Sequence, residues 1–101
     1  MSNYTSIIDS SQETFKFVED INKVQRTNNI DRYNSVSVLF NKGRYFEMSV
    51  YNKKIRSSIA QAIKCKVQHN TMIVGPKNKL EALVAAFNKR GIFVTINVDW
   101  I

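Results

Sequence analysis

The sequence is poor in the residues that build disulfides and metal centres. Cys65 is the only cysteine and His69 the only histidine among 101 residues. One cysteine excludes an internal disulfide, and a lone histidine with no cysteine motif beside it excludes a metal site of standard type. We therefore expect no metal, no other cofactor, and a reducing compartment, where a lone thiol is common. We interpret His69 as a strand residue near a basic surface.

Catalytic signatures are also missing. The chain has three glycines and no Gly-rich phosphate loop of the Walker or Rossmann type. Beyond residue 33 the acidic residues are Glu47, Glu81 and Asp99, which offer no paired carboxylates for acid–base chemistry. Cys65 lies close to a predicted helix C-terminus, where the helix dipole disfavours a thiolate, so we interpret it as structural. The sequence predicts a protein that is not an enzyme.

Long apolar runs are absent as well. No stretch approaches the roughly 18 apolar residues of a membrane helix, and the first residues lack the basic and apolar regions of a signal peptide. We expect a cytoplasmic protein with one α+β domain over residues 1–101, because a hydrophobic content of 44% can build one core at this length. Asn, Ile and Lys make up about a third of the residues, which favours an AT-rich genome such as that of a bacteriophage or a low-GC bacterium.

What the chain does have is a large and unevenly placed excess of positive charge, +7 at neutral pH. Between residues 42 and 79 a single acid, Glu47, stands against a long series of basic residues. These are Lys42, Arg44, Lys53, Lys54, Arg56, Lys64, Lys66, Lys77 and Lys79. Such a surface is typical of proteins that contact polyanions, nucleic acids above all.

The first part of the chain predicts a strand, a helix and a hairpin. Residues 4–8 can form a short strand, and Ser10 and Glu13 have capping-box spacing ahead of a helix over residues 11–26. After a loop over residues 27–31, alternating apolar residues predict two strands. Their inward side chains are Val36, Val38, Phe40, Phe46, Met48 and Val50. Matching the two strands places residue 40 opposite 44, so the loop is residues 41–43, with Gly43 at positive φ.

The rest of the chain predicts two further helices and two strands. Asn52 can cap a helix over residues 53–66, and a strand over residues 67–74 follows it. Pro76 is well placed as the first residue of the next helix, which ends at Gly91. The apolar faces of these helices contain Ile55, Ile59, Ala62 and Ile63 in the first, and Leu80, Leu83, Val84 and Phe87 in the second. Apolar residues alternate again over residues 92–98 as a last strand.

This order of elements predicts an α+β fold with a mostly antiparallel sheet and helices on one face. Its first six elements match the βαββαβ arrangement of ferredoxin-like folds, and a C-terminal αβ extension follows. The other face of the sheet is expected to stay partly open. It would present Leu39, Tyr45, Glu47, Ser49 and Tyr51.

Two predicted helices begin with basic residues, although acidic residues are usual at that position. Lys53, Lys54 and Arg56 lie in the first turn of one helix, and Lys77 and Lys79 in the first turn of the other. Cations there become favourable when an anion binds, because free N–H groups, the helix dipole and the side chains then converge on one phosphate. We predict phosphate contacts by these five residues; the alternative is a charged surface that only confers solubility.

The hairpin tip is the second candidate site. Lys42 and Arg44 flank its glycine, and Tyr45 and Tyr51 are expected on the open face, a combination suited to phosphates and stacked bases. The tip and the helix starts can share one surface. Ordinary sheet composition is the alternative explanation for the two tyrosines.

The run Lys-Gly-Arg-Tyr-Phe over residues 42–46 slightly resembles the RNP1 signature of RNA recognition motifs, in which a basic residue and a glycine open a strand with stacking aromatics. The chain departs from that signature at its third and eighth positions, where Arg44 and Ser49 replace aromatic residues. The predicted register also turns Phe46 toward the core. The base-reading residues of that family are therefore not carried over to this chain.

Two functional hypotheses follow. The first is a small, basic, non-enzymatic regulatory protein that binds nucleic acid, RNA or DNA, through the basic helix starts and the hairpin tip. The alternative is a protein-binding adaptor or inhibitor, for example a phage accessory factor that docks on an acidic host protein. Trp100 and Ile101 either close the core or anchor an interface, with a homodimer or a larger protein as partner. No membrane partner is expected.

Overall fold

The computed structural model describes residues 2–99, with side chains described from residue 11 onwards. Within that range the chain forms three α-helices and five strands, so the predicted α+β class is confirmed. The helices are α1 (Ser2–Thr27), α2 (Lys53–Ile63) and α3 (Leu80–Asn88), and a 3-10 turn, Lys77–Lys79, precedes α3. The strands are β1 (Ser35–Asn41), β2 (Tyr45–Ser49), β3 (Lys66–Gln68), β4 (Met72–Pro76) and β5 (Phe93–Asp99).

The strands form one mixed sheet in the order β3-β4-β2-β1-β5. β1 pairs in parallel with β5, and the other neighbours are antiparallel. The predicted ferredoxin-like βαββαβ order is not found in the described residues, because two predicted strands differ. The last helix and strand, α3 and β5, are present as predicted.

The predicted first strand, residues 4–8, was wrong, because α1 begins at Ser2 and runs without interruption to Thr27. The helix predicted over residues 11–26 is therefore present but starts nine residues earlier. No glycine or proline occurs between its ends, so no helix-breaking residue prevents the helix from extending on the N-terminal side of Ser10.

The predicted strand over residues 67–74 is instead two strands, β3 and β4, joined by a tight turn. His69 and Asn70 both have positive φ, 51° and 61°, and the Thr71 N–H donates to the Gln68 carbonyl at 3.2 Å. Two successive positive φ values are typical of a hairpin turn, and asparagine accepts that conformation more readily than most residues. His69 is therefore an exposed turn residue, and its placement in a strand was wrong.

The β1–β2 hairpin exists, but its register differs by two residues from the predicted one. Phe40 faces Phe46, so the loop is residues 42–44 rather than 41–43. Lys42 and Gly43 both have positive φ, and the Arg44 N–H donates to the Asn41 carbonyl at 2.9 Å. The prediction of a glycine with positive φ in the loop is confirmed, and the register moved because this turn uses both central residues in that conformation.

The core lies between one face of the sheet and the three helices, as predicted. The inward side chains of β1 and β2 are buried, apart from the half-buried Val36. They pack in one cluster with α1, α2 and α3. α2 contributes Ile59, Ala60 and Ile63, and α3 contributes Leu80, Leu83, Val84, Ala86 and Phe87. Ala62, predicted on the α2 stripe, is exposed.

The ends of α2 and α3 follow the predicted chemistry at two of four points. The Asn52 side chain accepts from the Ile55 N–H at 3.1 Å, and Gly91 has a φ of 73°. α2 ends three residues early, because Lys64 adopts the left-handed conformation. Pro76 is the last residue of β4 rather than the first residue of an α-helix.

Gln25 ties α1 to the edge of the sheet. Its side-chain amide accepts from the Val94 N–H at 2.8 Å and donates to the Val94 carbonyl at 2.9 Å, so it pairs with β5 as a strand residue would. Asn88 donates to the Gln25 carbonyl oxygen at 3.0 Å. Gln25 is fully buried, so this polar cluster fixes where α1, α3 and β5 meet.

Candidate nucleic-acid interface

Four of the predicted site cations lie together at one end of the sheet, which we call the tip cluster: Lys42, Arg44, Lys77 and Lys79. The Lys77 N–H donates to the Arg44 carbonyl at 2.9 Å, so the hairpin loop and the 3-10 turn are directly joined. The Lys42 N–H donates to the Asp99 carbonyl, which holds the loop against the end of β5. Gly43 packs against α1, where an added Cβ would overlap the Thr14 side chain.

The side chains of the tip cluster are not equally available. Lys42 and Arg44 are exposed. The Lys77 ammonium lies 4.8 Å from the centre of the Phe17 ring, a cation–π contact. Lys79 is half-buried, and its charge is close enough to Cys65 to act on the pKa of the thiol. Lys42 and Arg44 are therefore the cations most available to a ligand.

The helix-start argument does not hold for Lys77 and Lys79. They form a 3-10 turn, and α3 proper begins at Leu80 with Glu81 as the acid in its first turn. α3 therefore has the usual charge at its N-terminus, and the two lysines belong to the tip through proximity rather than through a helix dipole.

The remaining cations, Lys53, Lys54 and Arg56, form what we call the α2-start cluster. Asn52 accepts from the third N–H of the helix, and the N–H groups of Lys53 and Lys54 have no acceptor among the described residues. No acidic residue lies in this first turn, so the positive end of the dipole is reinforced rather than opposed. Arg56 is half-buried and donates to the Val50 carbonyl at 2.7 Å, which gives it a structural role.

The two clusters lie at opposite ends of β2, so the prediction that tip and helix starts share a surface was wrong for α2. The hairpin loop comes before Tyr45, and the α2-start cluster follows Ser49. Four residue steps at about 3.3 Å place these ends about 13 Å apart. Tyr45 is 45% exposed beside the tip cluster, and Tyr51 is 81% exposed beside Lys53. Each cluster of cations therefore has its own exposed tyrosine.

The open face of the sheet connects the two ends and is mostly uncharged. Strand register places Val74, Glu47, Leu39 and Asn97 in one row across it, with Lys66 at the β3 edge. As predicted, Tyr45 and Ser49 are exposed and Leu39 and Glu47 half-buried. Glu47 lies at the centre of this face and Asp99 at its tip end, so the positive charge comes from the two clusters at the ends of β2 and not from the face itself.

The cations of both clusters lack acidic partners within the described side chains. The ion pair shown between described side chains joins Arg26 to Glu19 at 3.3 Å on the exposed side of α1, and it includes no cation of either cluster. A cation outside an ion pair can bind an external anion without first leaving an internal carboxylate.

Sequence reasoning missed Asn41, the residue before the hairpin loop. It is 8% exposed, and its buried Nδ2 has no hydrogen-bond partner. By register it lies between Tyr45 and Asp99 in the row nearest the tip cluster. No local signal could have identified it, since an asparagine two residues before a glycine is expected in an exposed turn.

Two sequence-based interpretations can be compared with the structure directly. Phe46 is fully buried, as its predicted inward position requires, so this part of the RNP1-like run offers no ring for stacking. Burial raises the pKa of the Cys65 thiol above its ordinary value of 9.0, and Lys79 acts in the opposite direction. Cys65 is half-buried and donates weakly to the Ile63 carbonyl, at 3.8 Å.

Four further findings complete the description of the site. Among the described residues no three His, Cys, Asp or Glu side chains are grouped as metal ligands. No helix in that part of the chain is long and apolar enough to span a membrane. Trp100 and Ile101, the predicted interface anchor, lie outside the described residues. The chain shows no significant similarity to any protein-family model, curated protein or solved structure.

Proposed function

We propose that this protein binds nucleic acid, without catalysing a reaction, through the tip cluster and the α2-start cluster. The observation that carries the proposal is the arrangement of unpaired cations at both ends of β2, each with an exposed tyrosine. Regulation of transcription or translation is the role that suits a small protein that only binds.

The mechanism is mainly electrostatic. Lys42 and Arg44 neutralise phosphates at one end, and Lys53 and Lys54 at the other, which releases counterions from the nucleic acid. The free N–H groups at the start of α2 add fixed donors for a phosphate oxygen. Tyr45 and Tyr51 are positioned to stack on bases or to donate to phosphates beside each cluster.

The site cations fall into two groups by availability. Lys42, Arg44, Lys53 and Lys54 are exposed, so their contribution to binding is expected to be large. Arg56, Lys77 and Lys79 are half-buried, so their contribution is smaller and their loss also affects folding. Arg56, Lys77 and Lys79 are therefore left out of the first tests.

The test is fluorescence anisotropy with labelled single-stranded RNA, single-stranded DNA and duplex DNA at several salt concentrations. The double variants Lys42→Ala with Arg44→Ala, and Lys53→Ala with Lys54→Ala, should each weaken binding and lower the salt slope by roughly 1.5 to 2. Lys23→Ala with Lys89→Ala is the matched control, since it removes the same charge from exposed positions outside both clusters.

The outcomes distinguish a defined binding site from a general effect of net charge. Equal weakening by the control and both double variants would mean that only net charge matters, and the proposed interface would be rejected. Wild-type binding that disappears by about 0.15 M salt for all three ligands would reject specific nucleic-acid binding.

The alternative is an adaptor or inhibitor, for example a phage accessory factor, that docks on an acidic protein through the same cations. A groove of about 610 Å³ between α1 and α3 favours a protein partner, because it is mainly apolar and includes Val24, which is 57% exposed. Failure of all three nucleic acids, with recovery of an acidic protein by immobilised wild type but not by the cluster variants, would support this alternative.

A further inference from the structure

The two edges of the sheet differ in how well they are protected against pairing. β3, at one edge, has three residues and begins with an exposed lysine, which are features that discourage further strands. β5, at the other edge, has seven residues and contains no lysine, arginine, proline or glycine. A long edge strand without such features is a template for another strand.

Hydrogen bonds show which groups of β5 point outward. The Phe93 N–H donates to the Asn34 carbonyl and the Asp99 carbonyl accepts from Lys42, so the odd-numbered residues face β1. Backbone groups alternate along a strand, and the groups of Val94, Ile96 and Val98 therefore face away from the sheet.

Gln25 limits the part of this edge that is open. Its side chain occupies both outward groups of Val94, at 2.8 and 2.9 Å. The outward groups of Ile96 and Val98 have no hydrogen-bond partner among the described residues. α1 leaves the edge beyond Val94 and crosses the sheet, because its Phe17 ring packs on Phe40 of β1 at 5.9 Å. Within the described part of β5, the open edge is therefore two outward-facing residues long.

We propose that β5 pairs with β5 of a second copy of this chain, antiparallel, about a two-fold axis at Asn97. In this register Ile96 faces Val98 of the other copy, and each pair exchanges two hydrogen bonds, four in all. A register centred on Ile96 would need the groups of Val94, which Gln25 holds. The position of Gln25 thus favours the register centred on Asn97 over the one centred on Ile96.

In that register the side chains of β5 are complementary to those of β5 in the second copy. On the helix side, Ile96 and Val98 are half-buried and would cover each other across the axis. On the open side, Thr95 is opposite Asp99 of the second copy, where its hydroxyl can donate to a carboxylate. A chain of charge +7 would repel its copy at most surfaces, and β5 is a strand whose one charged residue is an acid.

The expected product is a weak dimer with a ten-stranded sheet, because strand pairing alone buries little surface. Its salt dependence distinguishes it from nucleic-acid binding. Screening reduces repulsion between two positive copies, so dimerisation should strengthen with salt, whereas nucleic-acid binding weakens.

The experiment is sedimentation velocity of the full chain at protein concentrations from about 5 µM to about 500 µM, the range in which weak dimers dissociate. Wild type should show a concentration-dependent dimer. Asn97→Arg places two cations opposite each other at the axis and should raise the dimer Kd at least about tenfold. Thr95→Arg is the matched control, since it adds the same charge two residues away but faces Asp99 of the other copy, and it should keep or tighten the dimer.

A mixing test completes the design. Asn97→Arg and Asn97→Glu should each be monomeric alone and should dimerise when mixed, because the charges at the axis are then opposite. A wild type that stays monomeric up to 500 µM, or equal weakening by Asn97→Arg and Thr95→Arg, would overturn the proposal. Neither result depends on nucleic-acid binding, which the tip and α2-start variants test separately.

Discussion

Replacing Gln25 should have the largest effect of any polar substitution in the described chain. Its fully buried amide makes hydrogen bonds with both backbone groups of Val94 and accepts one from Asn88. Gln25→Met keeps nearly the same length and volume but removes every one of these bonds. The variant therefore isolates the polar contribution from packing.

The size of the effect follows from the groups left without partners. The N–H and carbonyl of Val94 lose their partners, and Asn88 keeps its bond to the Ile92 carbonyl at 2.9 Å. An unsatisfied buried group costs about 1–3 kcal/mol, and water reaches part of an edge strand, so we expect a loss of about 2–4 kcal/mol. Gln25→Ala should cost about 1–2 kcal/mol more, because it also leaves a cavity.

The assay is urea unfolding followed by far-UV circular dichroism, at one low protein concentration so that association does not contribute. A domain of this size has a total stability of about 5–15 kcal/mol, so a loss of this size should be clear in the urea midpoint. In a parallel thermal scan the same loss should lower the Tm by roughly 10–30 °C. Val24→Ala, at the exposed neighbouring position, should change stability by less than about 0.5 kcal/mol. A Gln25→Met loss below about 1 kcal/mol would refute the reasoning, since water would then replace the amide at little cost.

Two further predictions concern the region where Gly75 meets Cys65. A Cβ at Gly75 would lie 2.6 Å from the Phe46 ring and 2.8 Å from the thiol, so Gly75→Ala should cost about 1–3 kcal/mol in urea unfolding. Gly91→Ala, which has open space but a φ of 73°, should cost about 1 kcal/mol, and a larger loss at Gly91 than at Gly75 would contradict the packing argument. Because burial raises the pKa of the Cys65 thiol, iodoacetamide should alkylate it slowly at pH 7 and faster only above about pH 9. Lys79→Ala should raise that pKa further, since it removes the nearby positive charge. Rapid alkylation at pH 7 would contradict this assignment. The folded-state pKa exceeds the unfolded value, so this thiol's contribution to stability is full below pH 9 and declines as the pH rises through the folded pKa.

Periodicity predicted the core well and the hairpin register poorly, for one physical reason. Side chains alternate with a period of two, so a register shift of two residues leaves the same side chains inside. Pairing Phe40 with residue 44 or with Phe46 buries the same set, and only the turn conformation at Lys42 and Gly43 distinguishes the two. The turn at His69 was missed for a different reason, because residues 67–74 contain no glycine or proline to mark it.

The buried polar residues were beyond sequence reasoning because their partners are distant in the chain. Gln25 bonds to Val94, 69 residues away, and to Asn88, 63 residues away. On a helix with a weak apolar stripe, a glutamine is ordinary surface composition. Local rules did identify the α2 cap, the end of α3 and the basic character of both clusters, since each depends on neighbours within a few residues.

The position of Glu47 bears on which nucleic acid suits the two clusters. A single strand that follows β2 from the tip cluster to the α2-start cluster would carry its phosphates across the open face, over this half-buried carboxylate. The ends of β2 are about 13 Å apart, a length comparable to the roughly 12 Å width of the major groove of B-DNA. If the proposed function holds, a duplex could place one backbone near each cluster and leave its groove over Glu47, which would avoid the repulsion. The preference between duplex and single strand in the anisotropy experiment thus reports how the ligand lies on the sheet as well as which ligand binds.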